Sequence, residues 1–172
     1  QQDLAPVRFD VVMKCCDWIS RNAVDVEGIF RVSGPAQEVS AVSELFVAGC
    51  VDFGATSSPH TVASSLKLYL RERTFPVIPY RCFRAALARH RGRAGDVSRY
   101  SVDECREFVE SLPGSKRANL IYILRFLSIV AKHSEENKMG LSNLAIVWGP
   151  VLMKTKVTGL DSLSENDAQV EL

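Results

Sequence analysis

The sequence predicts an all-α single domain, and three observations carry that prediction. Apolar residues recur at spacings of three and four through most of the chain, the period of helices with one inward face. No stretch sustains the apolar–polar alternation of a strand, and no internal repeat is visible. The 172 residues are 47% apolar, enough to bury one full core.

Taken in order, residues 1–6 read as an entry linker and 7–172 as the domain, with its informative motifs between 25 and 153. From Val7 to Asn22, Phe9, Val12, Met13, Cys16 and Ile19 make an apolar stripe. A polar loop from Asp25 to Pro35 follows, with Arg31 between Gly28 and Gly34, and with Ile29 and Phe30 just ahead of it as anchors. Ser33-Gly34-Pro35 starts a second helix, striped by Val39, Val42, Leu45 and Phe46 and stopped near Gly49. A third helix runs from about Pro59 to Arg73, with Val62, Leu66, Tyr69 and Leu70 inward; Lys67 and Arg71, four apart, share one side of it. Two prolines between Thr74 and Pro79 interrupt helix, which resumes from Tyr80 to Arg89. Arg91 to Arg99 reads as a surface loop. Ser101, with Glu104 three residues on, has capping-box spacing and opens a helix that ends before Pro113. From Lys116 to about Lys132 apolar residues cover nearly the whole circumference, so a buried central helix is expected. His133 to Gly140 reads as a charged turn, and Ser142 to Trp148 as a helix stopped by Gly149-Pro150. The polar tail, 154–172, is assigned a short last helix around Leu160 to Val170.

Composition excludes several function classes. A formal net charge of +1 is not that of a nucleic-acid-binding polycation. The five cysteines are scattered, with no C-x-x-C pair, so neither a disulfide framework nor a zinc site is expected, and a reducing cytoplasmic setting fits. No apolar run reaches the length of a membrane span. The chain opens on Gln1 without a charged-then-apolar leader, and is read as a segment of something longer. There is no P-loop, no G-x-S-x-G elbow, and no metal-ligand spacing among His60, His90 and His133. A self-contained hydrolase is therefore not indicated. Arg84, Arg89, Arg91, Arg93 and Arg99 gather between Tyr80 and Tyr100; a patch for acidic phospholipid is one reading, but neutrality favours a solvated surface.

Arg31 has a plain reading as a surface arginine with a carboxylate partner. Its company argues for more. Gly-Ile-Phe-Arg-x-Ser-Gly over 28–34, then Leu66-Lys67-Leu68-Tyr69-Leu70-Arg71-Glu72, then Asn143-Leu144-Ala145-Ile146-Val147-Trp148-Gly149-Pro150 form an ordered set. That set resembles the Rho-family GTPase-activating domain (RhoGAP), as does the linking phrase from His133 to Met139. The resemblance spans roughly Pro6 to Met153 and implies a helical bundle of RhoGAP type. It implies that Arg31 is an arginine finger, inserted into the active site of a GTP-bound Rho-family small GTPase, where a guanidinium stabilises charge shifting onto the γ-phosphate and bridging oxygens. The Arg31 backbone carbonyl then also helps place the partner's glutamine. Lys67 and Arg71 map to a basic pair that holds the loop and meets the acidic switch surface, against a plain reading as a solvated helix face. Asn143 either buttresses the loop or caps a helix. Pro150 belongs to the same closing block, while Trp148 and the Leu144–Val147 run are core.

Two departures stand out. The family block normally closes Gly-Pro-Asn; here it reads Gly149-Pro150-Val151, and valine cannot make the asparagine's hydrogen bonds. Arg73-Thr74-Phe75-Pro76 stands where Leu-Pro-Glu-Pro is usual, at a helix junction. The expected function is thus activation of GTP hydrolysis by a protein that is not itself an enzyme, with no cofactor or metal of its own, since Mg²⁺ and GTP belong to the partner. A monomer that binds neither nucleic acid nor membrane directly is expected, with recruitment to membranes left to the rest of a longer protein. Two alternatives stay open: a catalytically weak Rho-GTPase-binding scaffold, motivated by Val151, and an unrelated helical interaction domain in which Arg31 is only a surface residue.

Overall fold

A computed structural model describes residues 7–53, 58–72, 76–89 and 101–153. Among them are eight helices and no strand. These are α1 (Phe9–Asn22), α2 (Ala36–Ala48), α3 (Pro59–Glu72), α4 (Tyr80–Arg89), α5 (Val102–Glu110), α6 (Gly114–Lys132), α7 (Ser134–Asn137) and α8 (Leu141–Leu152). The all-α class read from periodicity is the architecture observed. The assigned entry linker, the Arg91–Arg99 loop and the tail helix lie outside the described residues.

Helix α3 is the hub, packed on α2, α1 and α8, while α6 lies against α1, α5, α7 and α8. The face of α3 that does this is buried from Thr61 through Leu66 and again at Tyr69 and Leu70, so even its serines are inside. Ser65 is fully buried and donates from its hydroxyl to the Thr61 carbonyl at 2.7 Å, which removes the cost of an unpaired polar group. The core runs continuously from Val11 to Met153 and draws apolar residues from every helix except α5 and α7. One isolated parallel bridge, Ile78 with Met153, closes the end of α8 onto the stretch before α4; the Ile78 N–H donates to the Leu152 carbonyl at 2.9 Å.

Several expectations need correction. On α1 the buried residues are Val11, Val12, Cys15, Cys16 and Ile19; Phe9 and Met13 face outward, with the Phe9 ring edge-on to Tyr122 at 5.4 Å. The buried stripe is therefore shifted relative to the expected one, with Val11 and Cys15 inward on the side that meets α3 and α6. On α2, Leu45 is exposed and Ser43 buried. Helix α6 is not buried all round: Leu124 is 45% and Ile129 43% exposed, and the inward set 119/120, 123, 126/127, 130 is an ordinary stripe. Its neighbours cover one side, and the apolar excess is left over. The charged turn after α6 contains the short helix α7 and buries Asn137 and Met139 completely.

Helix α8 does not stop at Gly149-Pro150 but runs on to Leu152. A proline inside a helix removes one N–H and crowds the carbonyl four residues back. That carbonyl belongs to Ile146, which like Pro150 is on the exposed side, where water can take the orphaned acceptor. The proline is tolerated because it faces solvent.

The capping box foreseen at α5 is present: the Ser101 hydroxyl accepts from the Glu104 N–H at 3.1 Å, and the Glu104 carboxylate accepts from the Ser101 N–H at 2.8 Å. Two of the N–H groups left unpaired at the helix start are thereby satisfied. Ser101→Ala is expected to cost about 1 kcal/mol, read as a lower urea midpoint at unchanged m-value; an unchanged midpoint would count against the cap.

Candidate functional site

The loop between α1 and α2 is a run of turns rather than a free excursion. The N–H groups of Val26 and Ile29 donate to the carbonyls of Ala23 and Val26, at 3.3 and 3.1 Å. Those of Arg31 and Val32 both donate to the Gly28 carbonyl, at 2.9 and 2.8 Å. Gly28 has φ +70°, which favours glycine, and a Cβ there would have to push aside a methyl of the exposed Val32, 2.7 Å away. At the other edge a Cβ on Gly34 would lie 2.7 Å from the Thr61 Cα and 2.8 Å from its nitrogen; the loop leaves by passing hard against the start of α3. There the Gly34 N–H donates to the Ser64 hydroxyl at 3.3 Å.

Phe30 holds the loop's centre. It has φ +68°, in the left-handed region, at a cost of about 1–2 kcal/mol for a residue with a Cβ. Three contacts offset this. The buried ring lies edge-on to Trp148 of α8 at 5.1 Å and to Phe126 of α6 at 5.8 Å, and Lys67 Nζ of α3 donates to the Phe30 carbonyl. With the ring turned into the core and the carbonyl taken by Lys67, the next side chain, Arg31, is exposed.

Lys67 is half-buried, and its pKa is lowered by that burial and, less, by the nearby Arg71 charge. Arg71, one turn on along α3, is exposed. The Phe30 carbonyl thus ties Lys67 to the loop that carries Arg31, and Arg71 is near enough for its charge to act on Lys67. Asn143 lies in the first turn of α8, and its Nδ2 donates to the Lys138 carbonyl at 3.0 Å. That bond ties the first turn of α8 to the turn that precedes it. Pro150 is exposed on α8, whereas Val151 is 7% exposed and part of the hydrophobic core. Of the basic cluster, Arg84 places its guanidinium 5.9 Å from the Tyr80 ring centre; residues 91–99 lie outside the described residues.

Sequence reasoning missed one residue here. Asn137 is fully buried, and its backbone carbonyl accepts the Gly28 N–H at 2.8 Å. No periodicity singles out an asparagine in a charged turn; the resemblance of the phrase around it is the one signal that pointed to this stretch. Elsewhere, all five cysteines are free thiols, and burial pushes those of Cys15 and Cys16 up, so they act as small apolar core residues. No group of three or more His, Cys, Asp or Glu side chains among the described residues could hold a metal ion.

Residues 10–157 match the family model described as RhoGAP domain. Mouse Rho GTPase-activating protein 22 is 35% identical over 169 residues, covering 98% of this chain and 24% of that protein. Human Rho GTPase-activating protein 24 is 37% identical over 174 residues, covering 98% and 22%. The chain therefore spans about a quarter of the length of these relatives. Among solved structures, the BH domain from GRAF, the GTPase regulator associated with focal adhesion kinase, has a TM-score of 0.77 at 22% identity, covering 95% of this chain and 88% of that one. Human Rho GTPase activating protein 15 has a TM-score of 0.75 at 20% identity, covering 94% and 78%. Those two likenesses speak to the fold.

The Lys67 environment makes a checkable statement. Its ammonium is expected to titrate below the ordinary lysine value in a ¹⁵N-lysine NMR experiment, and Arg71→Ala to move it part of the way back. Between the lowered pKa and the ordinary value the unfolded chain binds more protons, so this residue's contribution makes stability rise with pH in that window, and Lys67→Met removes the slope. An ordinary titration would overturn the placement.

Proposed function

This chain belongs to the RhoGAP domain family, and on that premise we propose that it stimulates GTP hydrolysis by a Rho-family small GTPase by lending it Arg31. The observation that carries the reading is the division of labour between Phe30 and Arg31. One is buried and held on three sides, and its successor is exposed. A guanidinium projected from a pinned loop loses little freedom on docking, and in a site emptied of water it supplies an always-charged donor to oxygens that gain charge in the transition state. The chain is an activator that completes a partner's active site, and the nucleotide and Mg²⁺ are the partner's. Lys67 holds the loop through the Phe30 carbonyl, and Arg71 faces the acidic switch surface. The partner is engaged in its GTP form, and the domain acts as a monomer in the cytoplasm. Among the described residues no helix is long and apolar enough to cross a membrane.

A second reading has an observation of its own. Val151, at the place of the family's asparagine, is in the core with no polar atom to offer. A domain that binds the GTPase but activates it weakly follows if that lost bond dominates. Removing one hydrogen bond costs about 0.5–1.5 kcal/mol, roughly up to tenfold in rate, against about 10³–10⁵ for a finger supplied in trans. The finger outweighs the defect.

Hydrolysis by a panel of Rho-family GTPases decides between the readings. Stimulation is expected with the native chain, and Arg31→Ala is expected to lower the stimulated rate by about 10³-fold or more. Rates indifferent to the domain, or to Arg31, would sink the finger. Val151→Asn is expected to raise the stimulated rate by up to about tenfold, while an amide in the core lowers the melting temperature. No gain in rate would show that the missing asparagine is compensated.

A further inference from the structure

The arginine loop is tied down at its base by a residue that the motifs above leave without a role. Asn137 is 0% exposed, and each of its polar groups is engaged. Nδ2 donates to the Val24 carbonyl and to the Val130 carbonyl, both at 2.8 Å. Oδ1 accepts the Met139 N–H at 2.7 Å, and the backbone carbonyl accepts the Gly28 N–H at 2.8 Å. Val24 and Gly28 are the two ends of the loop's first limb, Val130 is in the last turn of α6, and Met139 leads into α8. One buried amide therefore sets the loop base relative to the two helices, α6 and α8, whose Phe126 and Trp148 hold the Phe30 ring.

Gly28 passes this placement on. Its N–H is held by Asn137, and its carbonyl accepts from the N–H groups of both Arg31 and Val32. A displacement of Asn137 moves the peptide on which the Arg31 backbone rests, and because Gly28 lacks a side chain, no packing of its own resists that movement. Misplacing a catalytic group by about 1 Å can cost 10²-fold in rate. We propose that Asn137 is a positioning residue for the Arg31 guanidinium: it touches no partner and governs where the finger reaches. The proposal rests on the finger reading above.

The test is a double-mutant cycle on the full chain, with the Rho-family GTPase that the native chain stimulates most. Arg31→Ala, Asn137→Ala and the double variant are compared below their melting temperatures. Two quantities are read: the hydrolysis rate at saturating domain, and the affinity for the GTPase loaded with a non-hydrolysable GTP analogue. Asn137→Ala is expected to lower the saturating rate about tenfold or more, with the affinity changed by less than about threefold. The double variant is expected to be no slower than Arg31→Ala alone, because a residue that works through the finger has nothing left to position. A wild-type saturating rate for Asn137→Ala, a rate loss matched by lost affinity, or additive losses in the double variant would each overturn the proposal. An Arg31→Ala rate equal to wild type would overturn the finger reading itself, which is a different result from the same cycle. Should Asn137→Ala fail to fold, replacing the Gly28 amide by an ester through semisynthesis deletes the N–H given to Asn137 and leaves the buried amide in place. The same loss of saturating rate at nearly unchanged affinity is expected there, and a wild-type rate would overturn the proposal.

Discussion

The peptide between Phe30 and Arg31 is where the structure's demands meet. One residue must be held in the core and the next must stand in solvent, and the chain achieves the reversal by placing Phe30 at φ +68°. That conformation persists because its carbonyl is held by Lys67 and its ring by Trp148 and Phe126. Three helices, α3, α6 and α8, are thereby set around one residue, and at the loop's edges a Cβ on Gly28 would meet Val32 and one on Gly34 would meet the backbone of Thr61. A loop so held has lost most of its conformational freedom on folding, which is the condition under which a charged tip can be offered to a partner at little further entropic cost.

Helix α8 shows the same economy from the other side. Its Trp148 braces Phe30, its Val151 is in the core, and its last residues are tied to Ile78. Continuing through Gly149-Pro150 keeps all of this on one rigid element. A helix that stopped before the proline would leave Val151 and Leu152 without a fixed face. The departure from the family's asparagine at 151 therefore has two consequences that pull apart: a polar contact is absent, and an apolar side chain joins the core.

Most of the helices were legible because their cause is local. Spacings of three and four, a capping box at Ser101 and prolines at the junctions are written in adjacent residues. Which apolar residues a helix buries was less legible. Phe9 and Met13 on α1, Leu45 on α2, and Leu124 and Ile129 on α6 are as hydrophobic as their buried neighbours, yet stay partly in water. Burial depends on which neighbour lies against a helix and how closely, and a single helix's sequence does not contain its neighbour.

For the site, the sequence by itself determined the chemistry: a guanidinium at 31 behind an aromatic anchor, a lysine and an arginine four apart on one helix, and valine where an asparagine is usual. These are residue identities at short spacings, and they bear on function whatever the surroundings. Tertiary structure alone decided that Val151 is buried and how the arginine loop is held: the left-handed turn at Phe30, the Lys67 bond to its carbonyl, and above all Asn137, which joins loop, α6 and α8. The reason is sequence distance. Asn137 meets Val24 across 113 residues, and a buried amide with partners that remote carries no pattern along the chain; it acquires its role only when the helices have packed.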